Sequence, residues 1–280
     1  MCNMQKVGNI VSYFQKELNG YAELNEINSW AYITIEFILG YSRAECILNH
    51  NQIIKELDIK AINEVISELK LQKPIQYILE ESKFYNLKFK LNNYTLIPRP
   101  ETEELVAWIL EHNFSSILDI ATGSGCIAIS IAVNSSARVS AFDISAKAIT
   151  VAKKNAKING VDVNFSIKDV FDVQSLSKYD IIVSNPPYVL NSEKEYIKKN
   201  ILDYEPHSAI FVSDSKPLIY YEKIAHLAFS SLNSEGKLFL EINELFSNDI
   251  ISLLDTIGFV DITLKKDIND KPRMIKASKK

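Results

Sequence analysis

Cysteine is scarce in this sequence. Cys2, Cys46 and Cys126 stand far apart with no Cys-x-x-Cys pair, which excludes a disulfide framework. The four histidines, His50, His112, His207 and His226, are scattered singly, so no metal site is expected. No basic residue neighbours Cys126 to lower its pKa, and the expected state there is a buried, reduced thiol. Long apolar runs are missing too: nothing approaches the roughly eighteen residues of a membrane span. No apolar core follows the start at Met1-Cys2-Asn3-Met4-Gln5-Lys6 that could act as a secretory signal. The expected compartment is the cytoplasm. Positive charge is not in excess, with a net charge of −4 and a pI near 5.7, which weighs against a long nucleic-acid surface. The basic end, from Lys265-Lys266 through Arg273 to Lys279-Lys280, reads as a solvated tail. Neither internal repeats nor low-complexity segments occur.

What is present suits a soluble protein with a sizeable core: 47% of residues are apolar and 24% charged. The 280 residues are enough for an α/β domain and a smaller partner. Residues 1–75 read as a small helical bundle. Apolar residues recur at spacings of three and four in Val11, Phe14, Leu18, in Trp30, Ile33, Phe37, and in Ile62, Ile66, Leu69. Asn28 or Ser29 is a candidate cap for the second helix, Gly40 its stop, and Ser42 the cap of a third. In 76–100 the period shifts towards two around Phe84, Leu87, Phe89 and Leu91, predicting a β-hairpin linker. Residues 101–280 form the expected catalytic domain. Strand and helix alternate from Ile117 onward, which predicts a mostly parallel sheet with helices on both faces, a doubly wound α/β fold.

Two stretches within that domain carry chemistry. Ser184-Asn185-Pro186-Pro187-Tyr188 follows the apolar run Ile181-Ile182-Val183. Proline cannot continue a sheet ladder, so the chain leaves the strand as a stiff turn. Asn185 offers a side-chain carbonyl, Pro186 a backbone carbonyl beside a residue with no N–H, and Tyr188 a flat apolar face. Two acceptors and a platform suit a planar NH2 group. Upstream, Asp119-Ile120-Ala121-Thr122-Gly123-Ser124-Gly125 is a strand running into a glycine turn and a helix, which aims backbone N–H groups at a ligand. In an open parallel sheet, ligands sit at the carboxyl ends of strands where strand order reverses. If Ile117–Ile120 is the first strand and Ile181–Val183 the fourth, both turns face one crevice.

The phrases Pro98-Arg99-Pro100-Glu101-Thr102-Glu103, Asp119 to Gly125, and Asn185 to Tyr188, in this order and spacing, resemble the bacterial release-factor glutamine methyltransferases (the HemK/PrmC family). The resemblance covers most of the chain. It implies the class I S-adenosylmethionine-dependent methyltransferase fold with an antiparallel last strand, to which the two extended runs Phe259–Leu264 and Arg273–Lys276 are similar. It also implies an enzyme that uses S-adenosyl-L-methionine to methylate the glutamine side-chain amide in the Gly-Gly-Gln motif of peptide chain release factors. The helical bundle would then dock the release factor, with neither membrane nor nucleic acid as partner. Cofactor contacts are expected from Ala121, Thr122, Gly123, Ser124, Gly125 and Asn185, from Asp143 to the ribose hydroxyls, and from Asp169 and Val170 to the adenine. Arg99 or Thr102 would help to hold the methionine end. Asn185 and Pro186 would accept the two N–H groups of the target amide, and Tyr188 would pack on its plane beside Pro187.

Three positions depart from the family. Ala121 and Asn243 stand where glycine is usual, and Val212-Ser213-Asp214-Ser215-Lys216 replaces a glycine-rich continuation. Alanine fits at 121 if its φ is negative. Other readings stay open. Gly123 to Ala128 fits the dinucleotide fingerprint with Asp143 about twenty residues on, although no placed His or Tyr-Lys pair serves hydride transfer. Enzymes that methylate the amino group of adenine in DNA or RNA share the Asn-Pro-Pro-Tyr turn, although they need a recognition region and, on duplex substrate, base flipping. A non-catalytic scaffold that binds the cofactor is the third alternative.

Overall fold

The computed structural model describes residues 4–280; Cys2 lies outside them. The described chain divides into two compact units, one of 4–80 with 198–204, the other of 81–197 with 205–280.

The first unit is helical: α1 (Ile10–Glu17), α2 (Leu24–Leu39), α3 (Arg43–Leu48), α4 (Glu56–Lys70), α5 (Ile75–Ile78) and, from the returning segment, α9 (Lys199–Tyr204). Phe14 and Leu18, Ile27, Ala31 and Ile35, and Ile62, Ile66 and Leu69 all turn inward into one core, as spacings of three and four dictate. Ser42 closes a capping box on α3, its hydroxyl accepting from the Glu45 N–H while Glu45 accepts from the Ser42 N–H at 2.7 Å. Gly40, at φ +73°, ends α2. Neither Asn28 nor Ser29 caps that helix. It starts a turn earlier behind Glu23, and the Asn28 side chain instead accepts from the Gln15 amide of α1 at 2.8 Å. The Tyr204 hydroxyl donates to the Leu71 carbonyl at 3.0 Å, tying α9 into this unit.

The second unit opens with the antiparallel hairpin β1 (Glu81–Phe84) and β2 (Leu87–Lys90). Then follow α6 (Pro100–Leu110), β3 (Ser116–Ile120), α7 (Cys126–Asn134), β4 (Arg138–Asp143), α8 (Ala146–Ile158), β5 (Asn164–Ile167) and β6 (Tyr179–Ser184). After the short parallel pair β7 (Val189–Leu190) and β8 (Phe211–Val212) come α10 (Ile219–Ser231), β9 (Leu232–Glu241), α11 (Ser247–Ile257), β10 (Val260–Lys266) and β11 (Pro272–Ser278). The seven-stranded sheet runs β10-β11-β9-β6-β3-β4-β5. Only β11 is antiparallel to its neighbours, so the expected fold class holds.

Alternation sorts the central strands onto two faces. Leu118, Ile120, Ile182, Leu238 and Leu240 pack on one side with α10 and α11 residues. Ile117, Ile181, Val183 and Phe239 pack on the other with α6 and α7 residues. A strand buried on both faces reads as a continuous apolar run, as Ile181-Ile182-Val183 does. From β3 the chain builds outward through β4 and β5, then crosses back to β6 on the other side, so strand order reverses between β3 and β6. Parallel pairing sets Ile120 level with Ser184, and the turns after the two strands emerge side by side. No helix of the described residues is long and apolar enough to cross a membrane.

Candidate active site

The turn after β3 is held by its own backbone. The Thr122 N–H donates to the Phe142 carbonyl at 3.1 Å and the Gly125 N–H to the Thr122 carbonyl at 2.9 Å. Asp143, at the tip of β4, accepts from the Gly123 N–H and from the Ser145 N–H, both at 2.9 Å. Burial raises its pKa, and the carboxylate keeps acceptor capacity beyond those two bonds. Ser145 caps α8, accepting from the Ala148 N–H at 3.1 Å. Gly123 (φ +55°) and Gly125 (φ +81°) take left-handed backbone, and so does Ala121 (φ +61°). The condition under which alanine fits without strain, a negative φ, is therefore not met: three alternate residues share the turn's left-handed geometry, and alanine bears it with the strain of its Cβ. A Cβ on Gly123 would meet nothing within 4 Å, whereas one on Gly125 would come within 2.9 Å of Ile129 Cδ1 and 3.1 Å of Ala152 Cβ. Gly123 thus leaves room for a ligand, and Gly125 lets α7 and α8 close together.

Two buried polar residues brace this turn, of which only Asp119 belongs to the motif read from the sequence. Asn155 of α8 donates to the Ser124 carbonyl at 2.9 Å and exchanges bonds with both backbone groups of Lys90. Asp119 accepts from the Thr122 hydroxyl at 2.6 Å. Burial pushes its carboxyl up to about 7, and its second oxygen has no hydrogen-bond partner.

Across the crevice, the Ser184 hydroxyl donates to the Ile120 carbonyl at 2.8 Å, linking the two strand tips. The Tyr188 hydroxyl donates to Glu241 Oε1 at 3.0 Å, the Thr102 hydroxyl donates to Glu241 Oε2 at 2.6 Å, and Asn185 Nδ2 lies 3.4 Å from Thr102 Oγ1. Glu241, the last residue of β9, is 1% exposed, and that burial raises its pKa. Asn243 needs no left-handed backbone, at φ −72°. Its amide donates to the Tyr188 carbonyl at 3.1 Å and its oxygen accepts from the Leu245 N–H. The departure from glycine is thereby used to hold the turn. Asp214, in the second departing stretch, accepts from both the N–H and the hydroxyl of Ser192.

Between the two turns lies an open cavity of about 210 Å³. Ala121, Thr122, Gly123, Ser124, Asp143, Asp169, Val170, Asn185, Pro186 and Pro187 line it. Gly125 and Tyr188 do not. The first is packed beneath the turn, and the second turns its hydroxyl to Glu241 with its ring against the core of α10 and α11. Tyr188 is thus absent from the cavity lining, its half-buried phenol donating to the Glu241 carboxylate instead. Thr102, Phe142, Ile144, Phe171 and Tyr220 complete the walls, with the last two rings 5.0 Å apart. Arg99 also lines it, and its guanidinium is bound at 2.6 Å to Glu205, a buried carboxylate that also accepts from the Ile97 N–H. That pair pins the neighbouring Pro206, Ser208 and Ala209 against the cavity. Cys126 is half-buried on the cavity wall rather than buried as expected, and its thiol is pushed up to about 12 by desolvation, which disfavours the thiolate.

The residues fit a nucleoside-type methyl donor: an open approach over Gly123, a carboxylate at the β4 tip, and apolar and aromatic walls around Val170. Asn155 gave no sign in the sequence, since its bonds reach Lys90 and Ser124, remote along the chain.

A family model described as "Methyltransferase small domain" matches residues 101–205. The chain is 44% identical to the release factor glutamine methyltransferase of Flavobacterium psychrophilum, over 97% of this chain and 99% of the relative. It is 36% identical to the protein of the same name from Bacteroides thetaiotaomicron, over 96% and 99%. Among solved structures, a methyltransferase from Pyrococcus furiosus matches with a TM-score of 0.54 at 19% identity, covering 70% of this chain and 90% of that one, which is a likeness of fold.

Proposed function

Since the chain belongs to the release factor glutamine methyltransferase family, we propose that its cavity binds S-adenosyl-L-methionine and that the Asn185–Tyr188 turn presents a release-factor glutamine to it. The bound cofactor supplies a methyl group on a sulfonium. Gly123 and Thr122 give it backbone to lie against, Asp143 accepts from its ribose hydroxyls, and Asp169 and Val170 meet its adenine.

The protein must do the rest. An amide nitrogen is a poor nucleophile because its lone pair is delocalised into the carbonyl. Asn185 Oδ1 and the Pro186 carbonyl each accept one N–H of the target amide, fixing its plane so that one face of the nitrogen is aimed at the methyl group. Holding reactants in that geometry is worth on the order of 7–11 kcal/mol when the entropy of approach is already lost on binding. No base is needed at the barrier, because the proton leaves after the nitrogen has become cationic. Tyr188 acts from behind, keeping the turn in shape. The release factor is the macromolecular substrate, and the helical unit, which carries exposed apolar side chains at Leu24, Ile47, Leu48 and Leu57, docks it.

The observation that carries this reading is the Asn185 side chain on the cavity wall, level with the glycine turn. The test is methyl transfer from labelled S-adenosylmethionine, offered a purified release factor and, separately, adenine-containing DNA. Label on the glutamine of the Gly-Gly-Gln peptide, located by mass spectrometry, is expected. Label on DNA alone would overturn the assignment of substrate.

A further inference from the structure

We propose that Glu241 is a positioning residue for methyl transfer, which acts through the Thr102 hydroxyl to set which end of the Asn185 carboxamide faces the cavity. The proposal rests on the reading of Asn185 as the acceptor of a substrate N–H, and it follows from counting protons.

A carboxamide has an accepting end and a donating end of nearly the same shape, and its neighbours decide which way it turns. Asn185 approaches Thr102 at 3.4 Å. Thr102 has one hydroxyl proton, and it lies on the 2.6 Å bond to Glu241 Oε2, a length typical of a hydroxyl donating to a carboxylate. With that proton committed, Thr102 Oγ1 can only accept, so it is Nδ2 of Asn185 that turns towards it. Oδ1 is then the end left for a target N–H. If Glu241 did not hold the proton, the Thr102 hydroxyl would be free to donate to Oδ1. The amide would then turn its NH2 towards a substrate that also presents N–H, and donor would face donor.

The placement of Glu241 serves this role. Parallel pairing sets Leu240 beside Ser184, so the next residue of β9 lies alongside the start of the turn. Its other oxygen takes the Tyr188 hydroxyl at 3.0 Å, so one carboxylate references both the first and the last residue of Asn-Pro-Pro-Tyr. Among the described residues no basic side chain forms an ion pair with it. The nearby Arg273 is engaged with Asp267 at 3.1 Å and with the Ile242 carbonyl at 3.3 Å. A buried carboxylate without a paired cation is costly to keep, and a hydrophobic residue would serve a purely packing role better.

The experiment measures kcat and KM for release factor, together with S-adenosylmethionine affinity by calorimetry, in Thr102→Val, Thr102→Ser, Glu241→Leu and Asn185→Ala, and in Asn185→Ala combined with Thr102→Val. Expected are losses of roughly tenfold or more in kcat for Thr102→Val and Glu241→Leu with little change in cofactor affinity. Thr102→Ser, which keeps the hydroxyl, should recover most of what Thr102→Val loses. In the Asn185→Ala background Thr102→Val should cost nothing further, because the two act as one unit. A purely structural Thr102 would lower kcat by the same factor in both backgrounds, which overturns the proposal; so would full kcat in Thr102→Val beside a crippled Asn185→Ala. Wild-type kcat in Asn185→Ala would remove the underlying reading of Asn185, and the proposal with it.

Discussion

At Ala121 a methyl group sits where the backbone is left-handed, at φ +61°. A Cβ in that region costs roughly 1–2 kcal/mol, partly offset by the smaller entropy that alanine loses on folding. Ala121→Gly should therefore stabilise the fold by about 0.5–1 kcal/mol, read as a higher denaturant midpoint at unchanged slope. The motif made the turn legible in the sequence but not the sign of φ at Ala121, because strand, glycine and helix signals do not specify single dihedrals. Asp119 gives a second prediction. Burial moves its carboxyl from an ordinary 3.8 to about 7, so between those values the folded state holds a proton that the unfolded chain has released. The stability this group contributes is then greatest near pH 4 and falls as pH rises to about 7, where it levels off. Asp119→Asn should remove that decline, so that thermal midpoints of wild type and variant diverge from pH 5 to pH 8 in the variant's favour; parallel curves would contradict it. At Asp143 the carboxylate both steadies the turn and faces the cavity. Asp143→Ala is expected to weaken S-adenosylmethionine binding by calorimetry, and unchanged affinity would leave Asp143 a structural role alone.

At the scale of elements, the glycine turn, α7 and α8 form one packed assembly. Gly125 sits at φ +81° with Ile129 Cδ1 2.9 Å from where a Cβ would go. Gly125→Ala should cost about 1–3 kcal/mol, the usual penalty for an overpacked core, and should also weaken cofactor binding, since the turn cannot stay in place. A midpoint within about 0.5 kcal/mol of wild type would show that the helices yield there. The elements themselves were largely legible. The apolar run Ile181-Ile182-Val183 marked β6, alternation with helical segments marked a parallel sheet, and the extended runs Phe259–Leu264 and Arg273–Lys276 marked β10 and β11. Less legible was the start of α2, because Asn28 bonds to a residue of α1 and polarity alone does not reveal a cap. The Glu241 cluster was illegible for a related reason. Its partners Thr102 and Tyr188 are 139 and 53 residues away, and a lone glutamate in the run Leu240-Glu241-Ile242 carries no local sign of them.

Over the whole molecule, one feature of topology decides where chemistry can occur: the reversal of strand order between β3 and β6 sets two stiff turns level at the sheet's carboxyl edge. The sequence carried both turns, and the rule for open parallel sheets joined them. Nothing local announced that 198–204 belongs with the helical unit, since a short polar helix reads alike in any surroundings. The account stands on Asn185 as the group that orients the target amide. Single-turnover methyl transfer to release factor by Asn185→Ala, with S-adenosylmethionine affinity measured on the same preparation, tests it most directly. The rate should fall roughly a hundredfold or more while affinity changes little, as for loss of one positioned polar group; a near-normal rate would contradict the account.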